Sequence, residues 1–471
     1  MNLTELLECS ARRWPQKTAL VEDNVEISYA ALAQKIDLFA EKLQSLQLTP
    51  GSRVGLCFPN SANYVALTYA LWEIKVIVVP VPTECPPEEL AEITQTMELS
   101  AILSQKPTAV GALATGEPLT PEVFVSGLNP AASPDNHGLN IAFIRFTSGT
   151  TNARKGVVLG HETIRDRIAT ANQAFGITEN DTVIWCLPMA HHFLITIVLY
   201  LNAGATVVLA RHVTAQPFLE SVNRWRGTVL YAAPFHFSLL ARDHSSAQIE
   251  SVRLAVATTC ALPQEVTEDF FKRFGKPLVP ALGIIELGLV ALNAEDPRQR
   301  WNSVGKPSAG FRVKILAPDE NGVGEIAVAG PGICDAYAAP WLPRENFLQD
   351  GWFVTGDLGR FDADGFLFLL SRKTAVINLA GRKVFPEEIE AVLNRHPAVS
   401  ESRVFGRQHP HLGEVVEAEI VLITKNAGIE NLSQFCRAHL AAYKIPTRFH
   451  VVPALPRTPV TGKIRRMAAL A

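Results

Sequence analysis

The stretch from Arg53 to Ser104, RVGLCFPNSANYVALTYALWEIKVIVVPVPTECPPEELAEITQTMELSAILS, alternates short apolar runs with longer periodic ones. RVGLCF, VIVVPV and AILS read as buried strands, and SANYVALTYALWE and PPEELAEITQTME as the helices between them. A βαβαβ rhythm of this kind favours a parallel sheet covered by helices on both faces. The same texture recurs downstream, where VIWCLP, TVLYAAP, RLAVA and PLVPALG are further apolar strands and Pro263 to Phe274 is helical.

After about Arg300 the texture shifts to short strands punctuated by Gly and Pro, as in VGKPSAGFRVKIL, GVGEIAVAGPG and GWFVTGD, which suggests a barrel-like or antiparallel segment. Near Ser371 it shifts again, and GFLFLL, PEEIEAVLNRH, EVVEAEIVL, NLSQFCRAHLAAY and FHVVPAL suffice for a small α+β domain. The reading is an α/β protein with a large N-terminal domain, residues 1–373, of parallel sheets with flanking helices. The barrel-like part covers about 300–371, and an α+β C-terminal domain covers 374–471.

At 471 residues the chain exceeds what one hydrophobic core usually supports, so several domains are expected. With 43 basic and 46 acidic residues spread along it, the chain has no electrostatic footprint for nucleic acid or an anionic membrane. The seven cysteines are scattered and form no C-x-x-C pair, and the N-terminal MNLTELLECSARRWPQ lacks the unbroken apolar core of a signal peptide. A reducing cytoplasm is the expected compartment. The uncharged run Phe193 to Ala210, FLITIVLYLNAGATVVLA, reaches the minimal length for a membrane span. Asn202-Ala203-Gly204 is a helix stop, however, and β-branched residues follow, so a buried helix, a tight turn and a buried strand are expected, with no stable membrane insertion.

The strongest local chemistry lies in IRFTSGTTNARKGV, Ile144 to Val157: a strand, a loop rich in Gly and hydroxyls, then a lysine. Thr147, Ser148, Thr150 and Thr151 offer hydroxyl donors, Gly149 permits close backbone approach, and Lys155 adds a positive charge, a set suited to phosphate. The spacing does not satisfy the Walker A pattern. A Ser/Thr-rich turn is by itself more often simply solvated.

TSGTTNARKG resembles the TSGTTG-x-PKG signature of the adenylate-forming superfamily, which holds the acyl- and aryl-CoA ligases, luciferases and the adenylation domains of peptide synthetases. LPMAH (187–191), VATTCALP (256–263), GIIE (283–286), GWFVTGDLG (351–359), SRKTAVINLAGRKVFPEEIE (371–390) and LPRTPVTGKIRR (455–466) resemble further elements of that family, in its order. The resemblance implies ATP and Mg²⁺ as cofactors, CoA or a phosphopantetheine arm as acceptor, and two domains that close over ATP.

Residue by residue, the resemblance implies that Asp357 accepts both ribose hydroxyls and that Arg372 meets the ribose or a phosphate. Glu286 holds Mg²⁺, a hard cation that takes few carboxylates plus phosphate oxygens. Thr259, Cys260, Ala261, Leu282, Gly283 and Ile285 border the nucleotide. Lys463 is the catalytic lysine of adenylation, placing charge where the in-line transition state becomes negative. His191 is the aromatic gate at the carboxylate pocket, and His192, Phe193, Thr258, Leu282 and Ile285 line the acyl pocket. His191-His192 could be read as metal ligands, but adjacent residues point apart and no third ligand is evident. Thr374 is the hinge about which the C-terminal domain moves, and Gly381 keeps the thiol's path open.

Departures from the pattern are specific. Asn152 and Arg154 replace the usual Gly and Pro, Thr258-Thr259 replaces Gly-Gly, Leu282 replaces Tyr, and Ile285 replaces the Thr that meets the α-phosphate. Losing a hydrogen bond to a charged group costs roughly 1.5–3 kcal/mol, which weakens an enzyme without abolishing it. The segment LPMAHHFL carries no acid to pair an α-ammonium, which disfavours α-amino acids as substrates. The reading is an acid–thiol ligase for an aryl or medium-chain acid with CoA as acceptor. Its alternatives are a ligase loading a carrier protein and a non-catalytic nucleotide-binding module, the latter motivated by Ile285.

Overall fold

The computed structural model describes all residues except 108–115, 130–133, 147–154, 211–213, 380–381, 410–412, 425–430, 458–463 and 465–471. The described chain forms two compact units. The first holds most of residues 1–351 and the second holds 313–328 and 352–471.

The first unit contains two nine-stranded sheets. One runs, edge to edge, Leu342–Pro343, Ala336–Ala338, Gly156–Gly160, Ile141–Phe146, Ile77–Pro80, Arg53–Cys57, Ala101–Ser104, Val123–Ser126, Glu117–Thr120. Its centre is the expected βαβαβ unit, with Arg53–Cys57 parallel to both neighbours and the helices Ala62–Glu73 and Pro87–Thr96 as crossovers. The Ser61 hydroxyl caps the first helix by accepting from Tyr64 N at 3.1 Å. Every side chain from Tyr64 to Trp72 is buried, as expected of a helix that is apolar all round. The Trp72 indole N–H donates to Ala142 O at 2.8 Å, and one apolar core joins this helix to strands of both sheets.

The other sheet runs Lys306–Pro307, Gly288–Leu292, Val279–Ile284, Leu254–Ala257, Val229–Ala232, Thr182–Trp185, Thr206–Leu209, Thr18–Glu22, Val25–Ser28. The strands from Val279–Ile284 through Thr18–Glu22 are all parallel. The ambiguous apolar run resolves as a buried helix, Ile197–Asn202, a turn at Gly204, and the buried strand Thr206–Leu209. Gly204 has φ +78°, and a Cβ there would meet the Trp14 ring at 2.6 Å. Among the described residues no helix is long and apolar enough to cross a membrane.

In the second unit the segment expected to be barrel-like or antiparallel forms a four-stranded sheet, Arg312–Leu316, Gly324–Ala329, Phe353–Phe361, Leu367–Arg372, in which Phe353–Phe361 runs antiparallel to both its neighbours. A five-stranded sheet follows, built on the long hairpin Val399–His409 with Gly413–Leu422 and joined by Arg448–Val451, with the helices Pro386–Leu393 and Leu432–His439. Ile389, Leu393, Val404, Ile420, Leu432 and Cys436 form its separate core.

Trp72→Ala removes the largest side chain of the fully buried helix together with its hydrogen bond. It lowers stability by about 3–5 kcal/mol, read as a shift in the urea midpoint of the first unit.

Candidate active site

In open α/β sheets, ligands bind beyond the carboxyl ends of the strands where the strand order reverses. In the second sheet described above, Thr182–Trp185 has its sequence successor Thr206–Leu209 on one side and the later Val229–Ala232 on the other, so the reversal falls between Thr182–Trp185 and Val229–Ala232. Trp185 and Tyr231 are register partners there and stack with centroids 5.8 Å apart at 14°. The His192 ring stands edge-on to both, at 6.3 and 6.4 Å. Burial pushes the Tyr231 phenol up, and Thr258 follows the neighbouring strand, in which Val256 is the register partner of Tyr231. His192 and Thr258 thus lie together, beside two aromatic rings that motif reading did not mark.

The segment carrying the histidines is pinned by Asn60, whose side chain donates to Leu187 O at 2.9 Å and accepts from Met189 N at 2.8 Å. The Arg145 guanidinium donates to His191 O. Phe193, expected on the acyl pocket wall, is instead turned into the core. It packs on Tyr64, Tyr69 and Trp72 at centroid distances of 5.4, 6.4 and 6.2 Å. The physical reason is the short helix Met189–His192, which rotates the next residue away from the face that His192 shares with Trp185.

Beyond Leu254–Ala257, Thr258 is buried whereas Cys260 and Ala261 are exposed, with Thr259 between them at φ +79°. Beyond Val279–Ile284 the chain turns back through Ile285 and Glu286 into Gly288–Leu292. Leu282 is buried, Gly283 exposed, and Ile285 packs against the main core.

Three contacts fix the Ile285-Glu286 turn. Arg167, from the helix His161–Phe175, donates to Ile285 O at 2.8 Å and to Gly332 O at 2.6 Å. Cys334 N donates to Glu286 O at 2.7 Å. The Tyr337 hydroxyl donates to Glu286 Oε1 at 3.1 Å. Lys155 Nζ lies over the same Tyr337 ring, 4.9 Å from its centroid. Burial pulls the Arg145 and Arg167 guanidinium groups down to about 10, with the Glu286 carboxylate opposing that fall in both. Both remain cations at neutral pH, so the Glu286 side chain lies in the field of buried positive charge. Its carboxylate and the lysine beside it suit a Mg²⁺-bound polyphosphate, for which one protein carboxylate suffices. Among the described residues no group of three or more His, Cys, Asp or Glu is arranged to hold a metal by itself.

In the second unit, Asp357 and Arg372 are direct register partners, with Nε to Oδ1 at 2.7 Å. Arg372 also donates to Thr355 O at 3.0 Å, and the Thr355 hydroxyl accepts from Asp357 N at 3.0 Å. Asp357 is the more buried partner, at 16% side-chain exposure against 53%. Thr374 lies in the single turn Lys373–Ala375, beside a Lys373–Glu325 ion pair at 2.8 Å. Thr147, Ser148, Gly149, Thr150, Thr151, Gly381 and Lys463 lie outside the described residues.

Residues 7–338 match the model of the AMP-binding enzymes, and residues 388–463 match that of the AMP-binding enzyme C-terminal domain. The chain belongs to the AMP-binding enzyme family. Among curated members it is 29% identical to an oxalate–CoA ligase of Arabidopsis thaliana, over 98% of this chain and 97% of that one. It is also 29% identical to a 2-succinylbenzoate–CoA ligase of Bacillus licheniformis, over 98% of each. Among solved structures, the o-succinylbenzoate CoA synthetase of Bacillus subtilis in complex with its acyl-adenylate intermediate superposes with a TM-score of 0.85 at 26% identity, covering 98% of this chain and 96% of that one. The same synthetase in complex with ATP and a magnesium ion gives the same score.

Within this AMP-binding enzyme, Thr259 stands out because a β-branched residue at positive φ is strained by about 1–3 kcal/mol. Thr259→Gly relieves that strain and gives back part of the gain as chain entropy, for a net stabilisation of about 1 kcal/mol. A higher unfolding midpoint by calorimetry checks this, and an unchanged or lower midpoint contradicts it.

Proposed function

We propose that this chain is an ATP-dependent acid–CoA ligase that activates a non-amino carboxylic acid as its acyl-adenylate. The observation that supports this most is the pairing of the motif-assigned groups in each unit: Lys155 and Glu286 meet on Tyr337 in one, and Asp357 and Arg372 face each other across a ladder in the other. Within the first unit Lys155 and Glu286 come together from distant parts of the sequence, and within the second Asp357 and Arg372 pair across neighbouring strands.

In the first half-reaction a carboxylate oxygen attacks the α-phosphorus, the bond to the β-phosphate oxygen breaks, and pyrophosphate leaves. Lys155 and the hydroxyls of Thr147, Ser148, Thr150 and Thr151 hold the phosphates, with Gly149 giving them backbone room. Asp357 accepts from the ribose, and Arg372 orients Asp357. Mg²⁺, when bound, neutralises phosphate charge, with Glu286 as its protein ligand. Lys463 supplies positive charge to the carboxylate and α-phosphate as the transition state forms. In the second half-reaction the CoA sulfur attacks the acyl carbon and AMP leaves with one former carboxylate oxygen. Rotation about Thr374 exchanges Lys463 for Gly381 between the two, so one site runs two reactions in turn.

The acid sits against the Trp185–Tyr231 stack, with His191 as gate and His192, Thr258, Leu282 and Ile285 as walls. Flat aromatic surface and apolar side chains favour an aryl or medium-chain acid. A carrier protein's phosphopantetheine presents the same thiol as CoA and is the alternative acceptor. Ile285, partly buried against the core and without a hydroxyl, is the feature that favours a non-catalytic nucleotide-binding module as a second reading.

Pyrophosphate release across aryl, short, medium and long acids, each with CoA, with a phosphopantetheinylated carrier and with neither, tests this function. Release with an aryl or medium acid that rises with CoA is expected; ATP binding with no release for any acid would favour the second reading. Lys463→Ala lowers adenylation by about 10²–10³ while sparing thioester formation from supplied acyl-adenylate, and equal loss in both steps would contradict its assignment to the first.

A further inference from the structure

The function above gives Tyr337 no role, yet its side chain touches both charged groups assigned to the phosphates. It lies on the short strand Ala336–Ala338, paired antiparallel with Gly156–Gly160, so that Tyr337 is the register partner of Val157, two residues past Lys155. Its hydroxyl reaches the other way, to Glu286 Oε1 at 3.1 Å.

The segment leading into Tyr337 is built around the same turn. Cys334 N holds Glu286 O, and Arg167 bridges Ile285 O and Gly332 O. Gly332 has φ +76°, and a Cβ there would meet Arg167 Cγ at 2.5 Å, so the bridge needs glycine at that point. Backbone position, carboxylate rotamer and lysine position are thereby set by one stretch, Gly332 to Tyr337, on which motif reading placed no role.

We propose that Tyr337 is a positioning residue with two separable actions: its hydroxyl engages Oε1 and presents Oε2 of Glu286 to the metal, and its ring holds the Lys155 ammonium toward the nucleotide phosphates. This rests on the ligase reading for the identity of metal and nucleotide. A carboxylate free to rotate would have to be ordered when the cation binds, and outer partners of metal ligands are worth about tenfold or more in metal affinity. The cation–π contact needs the ring and not the hydroxyl, so the two actions come apart by substitution.

The test compares Tyr337→Phe and Tyr337→Leu with the unaltered chain. The readouts are calorimetric binding of a non-cleavable α,β-methylene ATP analogue at graded Mg²⁺ and, separately, the Mg²⁺ and ATP dependence of pyrophosphate release. Tyr337→Phe is expected to raise the Mg²⁺ concentration for half-saturation by about tenfold, with nucleotide affinity at saturating metal within about twofold. Tyr337→Leu weakens both. Calorimetric melting shows whether each variant is folded, and Tyr337→Phe keeps the ring and hence the packing. If Tyr337→Phe has an unaltered Mg²⁺ dependence, or loses metal and nucleotide affinity in equal measure, the positioning role is overturned. If the unaltered chain itself binds the analogue without releasing pyrophosphate from ATP, the ligase reading fails, and the binding arm still judges Tyr337.

Discussion

Parallel strands impose one constraint from which the placement of the candidate site follows. Six neighbouring strands run the same way in the sheet that holds Trp185 and Tyr231, so every connection must cross a face and every strand ends on the same side. Leu187 to His192, Thr258 to Ala261 and Ile285-Glu286 are the segments that follow three of those ends. They are distant in sequence and near in space because the sheet leaves them no other place. The apolar helix from Tyr64 to Trp72 fixes the arrangement from below, and Phe193 belongs to that packing.

Charge balance at the Ile285-Glu286 turn follows from burial. A guanidinium taken out of water needs partners for its donors; Arg167 places Nε and Nη1 on two backbone carbonyls, not on a carboxylate, and its Nη2 is buried without a partner among the described residues. The positive charge therefore stays available to the Glu286 region, where Arg145 adds a second. Among the described residues neither guanidinium forms a direct ion pair with Glu286, so neither occupies the carboxylate that a cation would use. The Asp357–Arg372 pair in the second unit is different in kind: a direct ion pair between ladder partners, half open to solvent on the arginine side.

Much of the fold was legible from periodicity. The strands and helices between Arg53 and Ser104 fall within a residue or two of the apolar runs that announce them, and Gly204 divides the long uncharged run as its φ requires. Strand order was not legible, because nothing in VIWCLP or TVLYAAP says that they are neighbours; the Trp185–Tyr231 stack is a product of that adjacency. The segment after Arg300, read as barrel-like or antiparallel, contains antiparallel pairs in a sheet of four strands, whose order the short Gly- and Pro-punctuated runs do not announce. Tyr337 sits in DAYAAP, with no hydroxyl-rich loop or unusual charge to mark it, and only the hairpin register brings it to Lys155. Phe193 was misdirected by its neighbours: next to two histidines it reads as a pocket wall, whereas one step of helix turns it to the core. The roles of Lys463, Gly381 and the loop from Thr147 to Thr151 rest on motif resemblance alone.

The central claim is that the acid is activated by attack on the α-phosphorus of ATP, and oxygen labelling tests it most directly. An acid of the aryl or medium-chain class, carrying ¹⁸O in both carboxylate oxygens, is turned over with ATP, Mg²⁺ and CoA, and the nucleotide product is weighed by mass spectrometry. The account predicts AMP bearing one ¹⁸O, since the oxygen that attacked phosphorus leaves with it when the thiol takes the acyl group. Unlabelled ADP with the label in inorganic phosphate would mean that the γ-phosphate was the site of attack, and would contradict the account.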